Sequence, residues 1–540
     1  MFVQHPLIRP NAIEDRIYQA KLSKACLSGS TLIVLPTGMG KTVIALRVIA
    51  DILLMKGGKV LFLAPTKPLV EQHASFLREN LLQKKITCLT GEVDPSEREV
   101  QWIENDVVVS TPQVIANDLK YERISLKNVS LIIFDEAHRA VGNYPYVKIA
   151  KEFKELGRLV MGMTASPGSS TNKIEQVCRN LGIQKVEVRS ESDSDVAPYV
   201  QEVDLQIVEV EIPQEMKRLA DLLRSKFDSC VQDLVSLGLI DPKRPVTKKY
   251  LLEIGNDIQS RLNSGEKRSQ LYKGLSLQAM ALKINYALEL AETQGMSALA
   301  NYLERMKNEA MSEGASKSSK SLVKSELFER IEEYLRKIKM EHPKLSRVMS
   351  IVSNQIIAHP ESRVIVFTHY RDTCDLVASK ISSIEGARVA KLIGQAERGD
   401  ERGLKQKEQV EVLEKFRNGE INVIVATSVG EEGLDVASTD LVVFYEPVPS
   451  EIRSIQRRGR TGRRRPGRVV ILKTRGTKDD AYFFASQRKE KVMRRRLFQL
   501  SRELENTTQD EKVGKSLDKD SVTRKKSQEN KEQRTLLDFK

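Results

Sequence analysis

Cysteine is scarce and scattered in this sequence. The five residues Cys26, Cys88, Cys178, Cys230 and Cys374 include no pair at CxxC spacing, so neither a zinc ribbon nor an iron–sulfur cluster is indicated. Free thiols fit a reducing compartment. The six histidines do not cluster either. No apolar run reaches the ~20 residues of a membrane span, and the N-terminus lacks a signal-peptide core. The chain therefore reads as soluble and intracellular, with no membrane partner. Acidic residues are in deficit, 73 against 87 Lys and Arg, for a net charge of +14. A basic balance suggests a polyanionic partner, nucleic acid before a membrane surface, although a solvated basic face gives the same count. What is abundant is apolar residues, 40% of 540, enough for several cores; about three domains is a fair expectation.

The most informative stretch is Pro36-Thr37-Gly38-Met39-Gly40-Lys41-Thr42. The apolar run 31–35 precedes it and the helix-periodic Val43, Ile44, Ala45, Leu46, Val48 and Ile49 follow. Strand, glycine-rich loop and helix in that order form the setting of a phosphate loop. Glycines let backbone N–H groups close around phosphate oxygens, and the helix N-terminus adds a positive field. Lys41 would reach the β/γ-phosphates and Thr42 would hold Mg2+. Leu35 stands where the strict GxxxxGK[ST] pattern has its first glycine.

Residues 1–200 alternate apolar runs with amphipathic stretches, with strands expected at 31–35, 59–63, 107–109, 129–134 and 159–163. That alternation predicts a doubly wound α/β fold with a parallel sheet. From about 212 to 340 the apolar residues recur at helical spacing: Met216, Leu219 and Leu223, then Met280, Ile284 and Ala287, then Leu327, Ile331 and Leu335. This segment reads as all-helical, with 312–321 a flexible serine-rich loop. Alternation returns at 363–368, 422–426, 441–445 and 468–472, a second α/β domain. The division expected is 1–205, 206–342, 343–503 and a polar tail 504–540, too poor in apolar residues to order.

Asp135-Glu136-Ala137-His138 closes the apolar run Leu131–Phe134. Two acids at the C-terminal end of a buried strand lie at the ligand edge of an α/β sheet. Asp135 can share Mg2+ with Thr42, and Glu136 can orient or deprotonate an attacking water.

With these motifs in order, the chain resembles a superfamily 2 helicase of the DEAH-lettered kind over roughly 1–500. Arg16-Ile17-Tyr18-Gln19 is similar to that family's adenine-reading segment, where Gln19 offers a donor and an acceptor. Pro65, Thr66 and Lys67, and Thr111 and Pro112, match strand-contacting motifs. Thr164-Ala165-Ser166-Pro167 matches the motif that links the acids to the nucleic-acid side. Thr368 and Thr427 match contacts of the second lobe, and Gly433 and Asp435 its nucleotide edge. Gln456, Arg460 and Arg463 match the arginine-finger motif, which stabilises charge on the transferring phosphoryl group. Fingers in the far lobe imply that hydrolysis requires lobe closure.

The resemblance implies two RecA-like parallel-sheet lobes, an all-helical thumb-like insertion between them, a disordered C-terminal tail, and ATP with Mg2+ as cofactors. The long insertion, together with Val429–Asp435, Gln406–Gln409 and His342–Leu345, resembles the archaeal Hef and the FANCM helicases. That group implies 3′-to-5′ action on forked or branched DNA, in a prokaryotic cytoplasm at the nucleoid. Lys243, Arg244, Lys248, Lys249, Lys267, Arg268 and Lys273 could supply phosphate contacts or form an ordinary charged surface. No ERKxxxD nuclease signature is found; Arg488-Lys489-Glu490-Lys491 lacks its acid spacing. The expectation is remodelling without cleavage, with any nuclease a separate chain. Gln533, Leu536 and Phe539 resemble a peptide that binds a PCNA-type sliding clamp, with Lys540 in place of the second aromatic; a chance hydrophobic end reads the same way. Two rival readings stand: an RNA or double-stranded-RNA helicase of the RIG-I/Dicer-like group, and a non-enzymatic clamp-tethered DNA-binding module.

Overall fold

The computed structural model describes residues 1–166, 171–200, 203–266, 268–338, 340–394, 403–427, 439–448, 467–500 and 502–503. Short apolar runs with β-branched residues form its strands, and the interior ones are buried on both faces almost throughout. Lobe 1 holds β1 (Thr31–Val34), β2 (Lys59–Leu63), β3 (Ile86–Leu89), β4 (Val107–Ser110), β5 (Val129–Phe134), β6 (Leu159–Thr164) and β7 (Lys185–Val188). They make one parallel sheet in the order β3-β4-β2-β5-β6-β1-β7. Successive residues of a strand point to opposite faces. Ile33, Phe62, Ile133 and Met163 accordingly fill one core layer, and Leu32, Leu61, Ile132 and Phe134 the other. Helices cover both layers, as a parallel sheet requires.

The second sheet is parallel too, in the order β10-β11-β9-β12-β13-β8. Its strands are β8 (Val203–Val210), β9 (Val364–Phe367), β10 (Val389–Leu392), β11 (Val423–Ala426), β12 (Leu441–Phe444) and β13 (Gly467–Thr474). β8 leaves lobe 1 and pairs with β13 over its whole length. The boundary expected at 205/206 thus falls inside a strand of the second sheet. Between β8 and β9 comes the all-helical segment: Gln214–Ser236, Lys248–Asn263, Ser269–Thr293, Met296–Met311, Lys317–Val323 and Glu326–Lys337, around a core of its own.

The stretch 312–321 is not wholly a loop. Its second half belongs to helix Lys317–Val323. Ser316 caps that helix by accepting from Ser319 N–H, and Ser319 Oγ donates to Glu309 at 2.7 Å. Serines that read as part of a flexible loop are instead spent on a cap and a part-buried hydrogen bond. A final helix, 478–500, starts on lobe 2 and ends with Met493, Leu497 and Leu500 buried in the lobe-1 core. The chain therefore crosses between the lobes twice, out through β8 and back through this helix. No helix among the described residues is long and apolar enough to cross a membrane.

Candidate functional site

The site gathers at the C-terminal edge of the lobe-1 sheet. The phosphate loop follows β1, the coupling residues follow β6, and the acid pair follows β5; these three strands are neighbours in the sheet. Leu35, at the place of the missing glycine, is fully buried and its N–H donates to Thr164 O at 3.1 Å. It continues the pairing one residue past β1, so the left-handed turn begins only at Gly38 (φ 83°), and Gly40 (φ 75°) opens helix Lys41–Met55. A side chain at Gly40 would place its Cβ 2.5 Å from Gln19 Nε2. That contact explains the glycine: the loop and the glutamine are packed against each other.

Gln19 is buried. Its amide donates to Met39 O at 3.2 Å, as does Tyr18 OH at 2.7 Å, so the helix Ile17–Leu27 holds the crest of the loop from behind. Gln19 Oε1 is buried with no partner among the described residues. A buried acceptor without a donor is costly unless a ligand supplies one, and an adenine amino group has that chemistry. Arg16 lies 5.0 Å from the centroid of the Tyr199 ring and pairs with Glu14 at 2.9 Å. Lys41 Nζ donates to Leu35 O at 3.1 Å, inside the curve of its own loop.

Asp135 is fixed at both ends. Its backbone carbonyl accepts from Tyr146 OH at 2.7 Å, and its Oδ2 lies 2.9 Å from His73 Nε2. Glu136 sits at φ 47°, in the left-handed region that a non-glycine residue rarely occupies. Its Oε2 lies 3.3 Å from His138 Nδ1, which in turn lies 3.1 Å from Thr164 Oγ1. Thr164 Oγ1 donates to Ser166 O at 3.0 Å. Burial pulls the Glu136 carboxyl upward, but His138, Lys41 and Arg139 outweigh it and hold it down at about 2. The site thus contains a carboxylate held below its ordinary range, within ion-pair distance of an imidazole whose Nδ1 also meets the neighbouring strand. Among the described residues no cluster of three His, Cys, Asp or Glu could hold a metal. One carboxylate and one hydroxyl, Asp135 and Thr42, suit Mg2+, which keeps waters and takes phosphate oxygens for the rest of its shell.

The residues expected to face nucleic acid lie on the other side of β5. Pro65, Thr66 and Lys67 follow β2, and Thr111 and Pro112 follow β4, each set opening a helix, Lys67–Asn80 and Pro112–Lys120. Thr66 Oγ1 is buried without a partner among the described residues, and Lys67 pairs with Glu92. In lobe 2, Thr368 and Thr427 end the adjacent strands β9 and β11 and are buried. Gly433, Asp435, Gln456, Arg460 and Arg463 lie outside the described residues, as do Pro167, Lys267, Gln533, Leu536 and Phe539. Sequence reasoning passed over His73 and Tyr146. His73 reads as one more residue on the buried face of its helix, and only the fold brings it to Asp135.

Comparison with known proteins agrees with this geometry. Residues 16–174 match the family "DEAD/DEAH box helicase", 215–342 "Putative ATP-dependent RNA helicase, helical bundle", and 343–465 "Helicase conserved C-terminal domain". The crystal structure of the Pyrococcus furiosus Hef helicase domain is 45% identical, with TM-score 0.68, covering 89% of this chain and 100% of that one. The chain belongs to the Hef/FANCM-like helicases of superfamily 2. The "Putative ATP-dependent RNA helicase" of Methanocaldococcus jannaschii is 41% identical over 92% of this chain and 62% of its own length. The ATP-dependent DNA helicase mph1 of Neurospora crassa is 34% identical over 86% of this chain and 41% of its own. The chain thus spans between about two fifths and three fifths of these two relatives. The family matches meet at 342/343, where the helical segment passes into helix Pro343–Ala358.

Proposed function

We propose that this chain is an ATP-dependent DNA helicase or translocase, moving 3′ to 5′ and remodelling forked or branched DNA. The observation that carries the reading is the line Glu136–His138–Thr164, which joins the second acid of the pair to the strand beside the phosphate loop. Such a linkage lets the acid respond to what the far side of the sheet touches. Lys41 would bind the β/γ-phosphates, and Gln19 Oε1 would accept from the adenine amino group. Mg2+ on Thr42 and Asp135 would offset phosphate charge. Glu136, held below the ordinary carboxylate range by His138, Lys41 and Arg139 against its burial, would orient the attacking water and is a weak base toward its proton. Arg460 and Arg463, with Gln456, would complete the site from lobe 2 on closure.

DNA is favoured over RNA by the identity to the Hef helicase domain across that whole chain and by the mph1 relatives named as DNA helicases. An RNA substrate is the second reading, from the name of the M. jannaschii relative. We further propose that Gln533, Leu536 and Phe539 bind a sliding clamp, that any nuclease is a separate chain, and that the protein works at the nucleoid of a prokaryotic cell.

The test is the ATPase rate at one fixed salt with forked DNA, linear duplex, single-stranded DNA and double-stranded RNA, since phosphate-driven binding varies steeply with salt. Strongest stimulation by forked DNA is expected. Strongest stimulation by RNA would keep the motor and overturn the substrate. Lys41→Ala should abolish stimulated hydrolysis, and near-normal turnover would refute the phosphate-loop assignment.

A further inference from the structure

Helix 478–500 touches three parts of the molecule at once. At its start, Lys478 Nζ donates to Asn285 Oδ1 at 3.0 Å and pairs with Glu289 at 3.1 Å, and Tyr482 OH donates to Glu289 Oε1 at 3.2 Å. Both partners lie on Ser269–Thr293, the longest helix of the insertion among the described residues. In the same turns, Asp479 pairs with the fully buried Lys344 of lobe 2, and Phe483 enters the lobe-2 core. At its far end, Met493, Leu497 and Leu500 are buried in the lobe-1 core, and Arg496 donates to Glu175 at 2.6 Å. Between these ends, Ser166 Oγ donates to Met493 Sδ at 2.9 Å.

Ser166 belongs to the coupling motif. Its N–H donates to Thr164 Oγ1 at 3.1 Å, the same hydroxyl that meets His138. A continuous line therefore runs from Glu289 of the insertion through Tyr482, about 16 Å of helix, Met493, Ser166, Thr164 and His138 to Glu136. A thioether is a weak acceptor on a flexible side chain, suited to a contact that is made and broken. A cavity of about 260 Å³, lined by Pro36, Thr37, Ala165, Met493 and Leu497 among others, borders it. Coupling needs an element with two arrangements, and space beside Met493 gives the helix room for a second one.

We propose that helix 478–500 is a strut that reports the position of the insertion to the ATPase acid, and that Met493 is the positioning residue through which it acts. The proposal rests on the reading that nucleic acid stimulates ATP hydrolysis. Movement of the insertion on its ligand shifts the helix, the helix shifts Met493 against Ser166, and the Thr164–His138 link re-aims Glu136.

The test uses the full chain and four proteins: wild type, Tyr482→Phe, Met493→Leu and the double variant. Tyr482→Phe removes one hydroxyl, and Met493→Leu keeps the apolar volume but removes the sulfur acceptor. The expected result is a fall of about fivefold in DNA-stimulated kcat for each single variant. Tyr482→Phe should keep the basal rate, the KM for ATP and the melting temperature of the wild type. The double variant should be no worse than the poorer single, because both changes cut the same line. Full stimulation in Tyr482→Phe, or losses that multiply in the double variant, would overturn the strut. If Tyr482→Phe melts early, Lys478→Met at the same junction is read by the same criteria. A wild type that no nucleic acid stimulates would overturn the proposed function and the strut together; a stimulated wild type with unaffected variants rejects the strut alone.

Discussion

At the scale of single residues, Glu136 combines backbone strain with a charge that burial opposes. A left-handed non-glycine residue costs about 1–3 kcal/mol and persists only where its surroundings hold it. The carboxyl itself is held by His138, Lys41 and Arg139, which keep it near 2 against an ordinary 4.5. A depressed carboxyl contributes stability that is present above the ordinary value and lost as pH falls through the folded value. Glu136 therefore stays ionised across the neutral range, and kcat should show no inflection from it above pH ~5. Glu136→Gln should lower kcat by about 10²–10⁴ while a fluorescent ATP analogue binds as before. Loss of nucleotide binding in that variant would mean that the charge serves binding and not the water. The loop and the acid pair were legible because each is a contiguous string with a chemical purpose. His73, 62 residues from Asp135, was not; a lone histidine on an amphipathic helix carries no local sign of its partner.

At the scale of elements, sequence reading found the interior strands and missed four: β3, β7, β8 and β10. These four are the edges of the two sheets. Interior parallel strands are buried on both faces and read as apolar runs, whereas an edge strand is partly exposed and admits polar residues. Lys185-Val186-Glu187-Val188 and Val389-Ala390-Lys391-Leu392 show that admixture. Missing β8 also put the lobe boundary inside a strand. The joint between insertion and lobe 2 turns on Gly295 and His342. Gly295 has φ 115°, and a Cβ there would lie 3.0 Å from His342 Cβ. Gly295→Ala should cost about 1–3 kcal/mol in denaturant unfolding, and Gly91→Ala, with open space around it and no positive φ, distinctly less. Equal costs would show that the joint is not packed as described. His342 accepts from Lys344 N–H at 3.2 Å through Nδ1 and lies 3.1 Å from Glu292 O through Nε2, which a neutral ring satisfies. Burial, with the Lys344 charge, lowers it to about 3. Between about 3 and the ordinary 6.5 the unfolded chain binds a proton that the folded one does not. Acidification through that window should remove up to about 1.4 kcal/mol per pH unit. His342→Asn should flatten the slope; an unchanged slope would place the titration elsewhere.

At the scale of the whole molecule, the insertion and lobe 2 are fastened by polar contacts on several sides. Arg305 forks onto Asp372 at 2.7 and 3.1 Å, Tyr370 OH donates to Glu289 at 2.9 Å, and Thr373 Oγ1 donates to Gln294 Oε1 at 2.8 Å. The insertion should therefore travel with lobe 2 when the lobes close. Nucleic acid held by the insertion would then be carried past lobe 1, where Thr66 and Thr111 open their helices. Its basic residues differ in readiness. Arg244 stacks on Tyr250 at 4.0 Å and pairs with Glu253, Lys249 shares Glu253, and Arg268 pairs with Glu266. Lys243, Lys248 and Lys273 are exposed, and none forms an ion pair among the described residues. An exposed lysine without a carboxylate neighbour gives up least when it meets a phosphate. Each phosphate neutralised on duplex DNA adds about 0.9 to the slope of log affinity against log salt. Replacing these three lysines by alanine should reduce that slope for forked DNA by about 2 to 3. The basal ATPase should be untouched, because none of the three lies near the phosphate loop. A slope that does not change would take the insertion out of the DNA contact, and would leave the lobe edges at Lys67 and Thr111 to do the gripping.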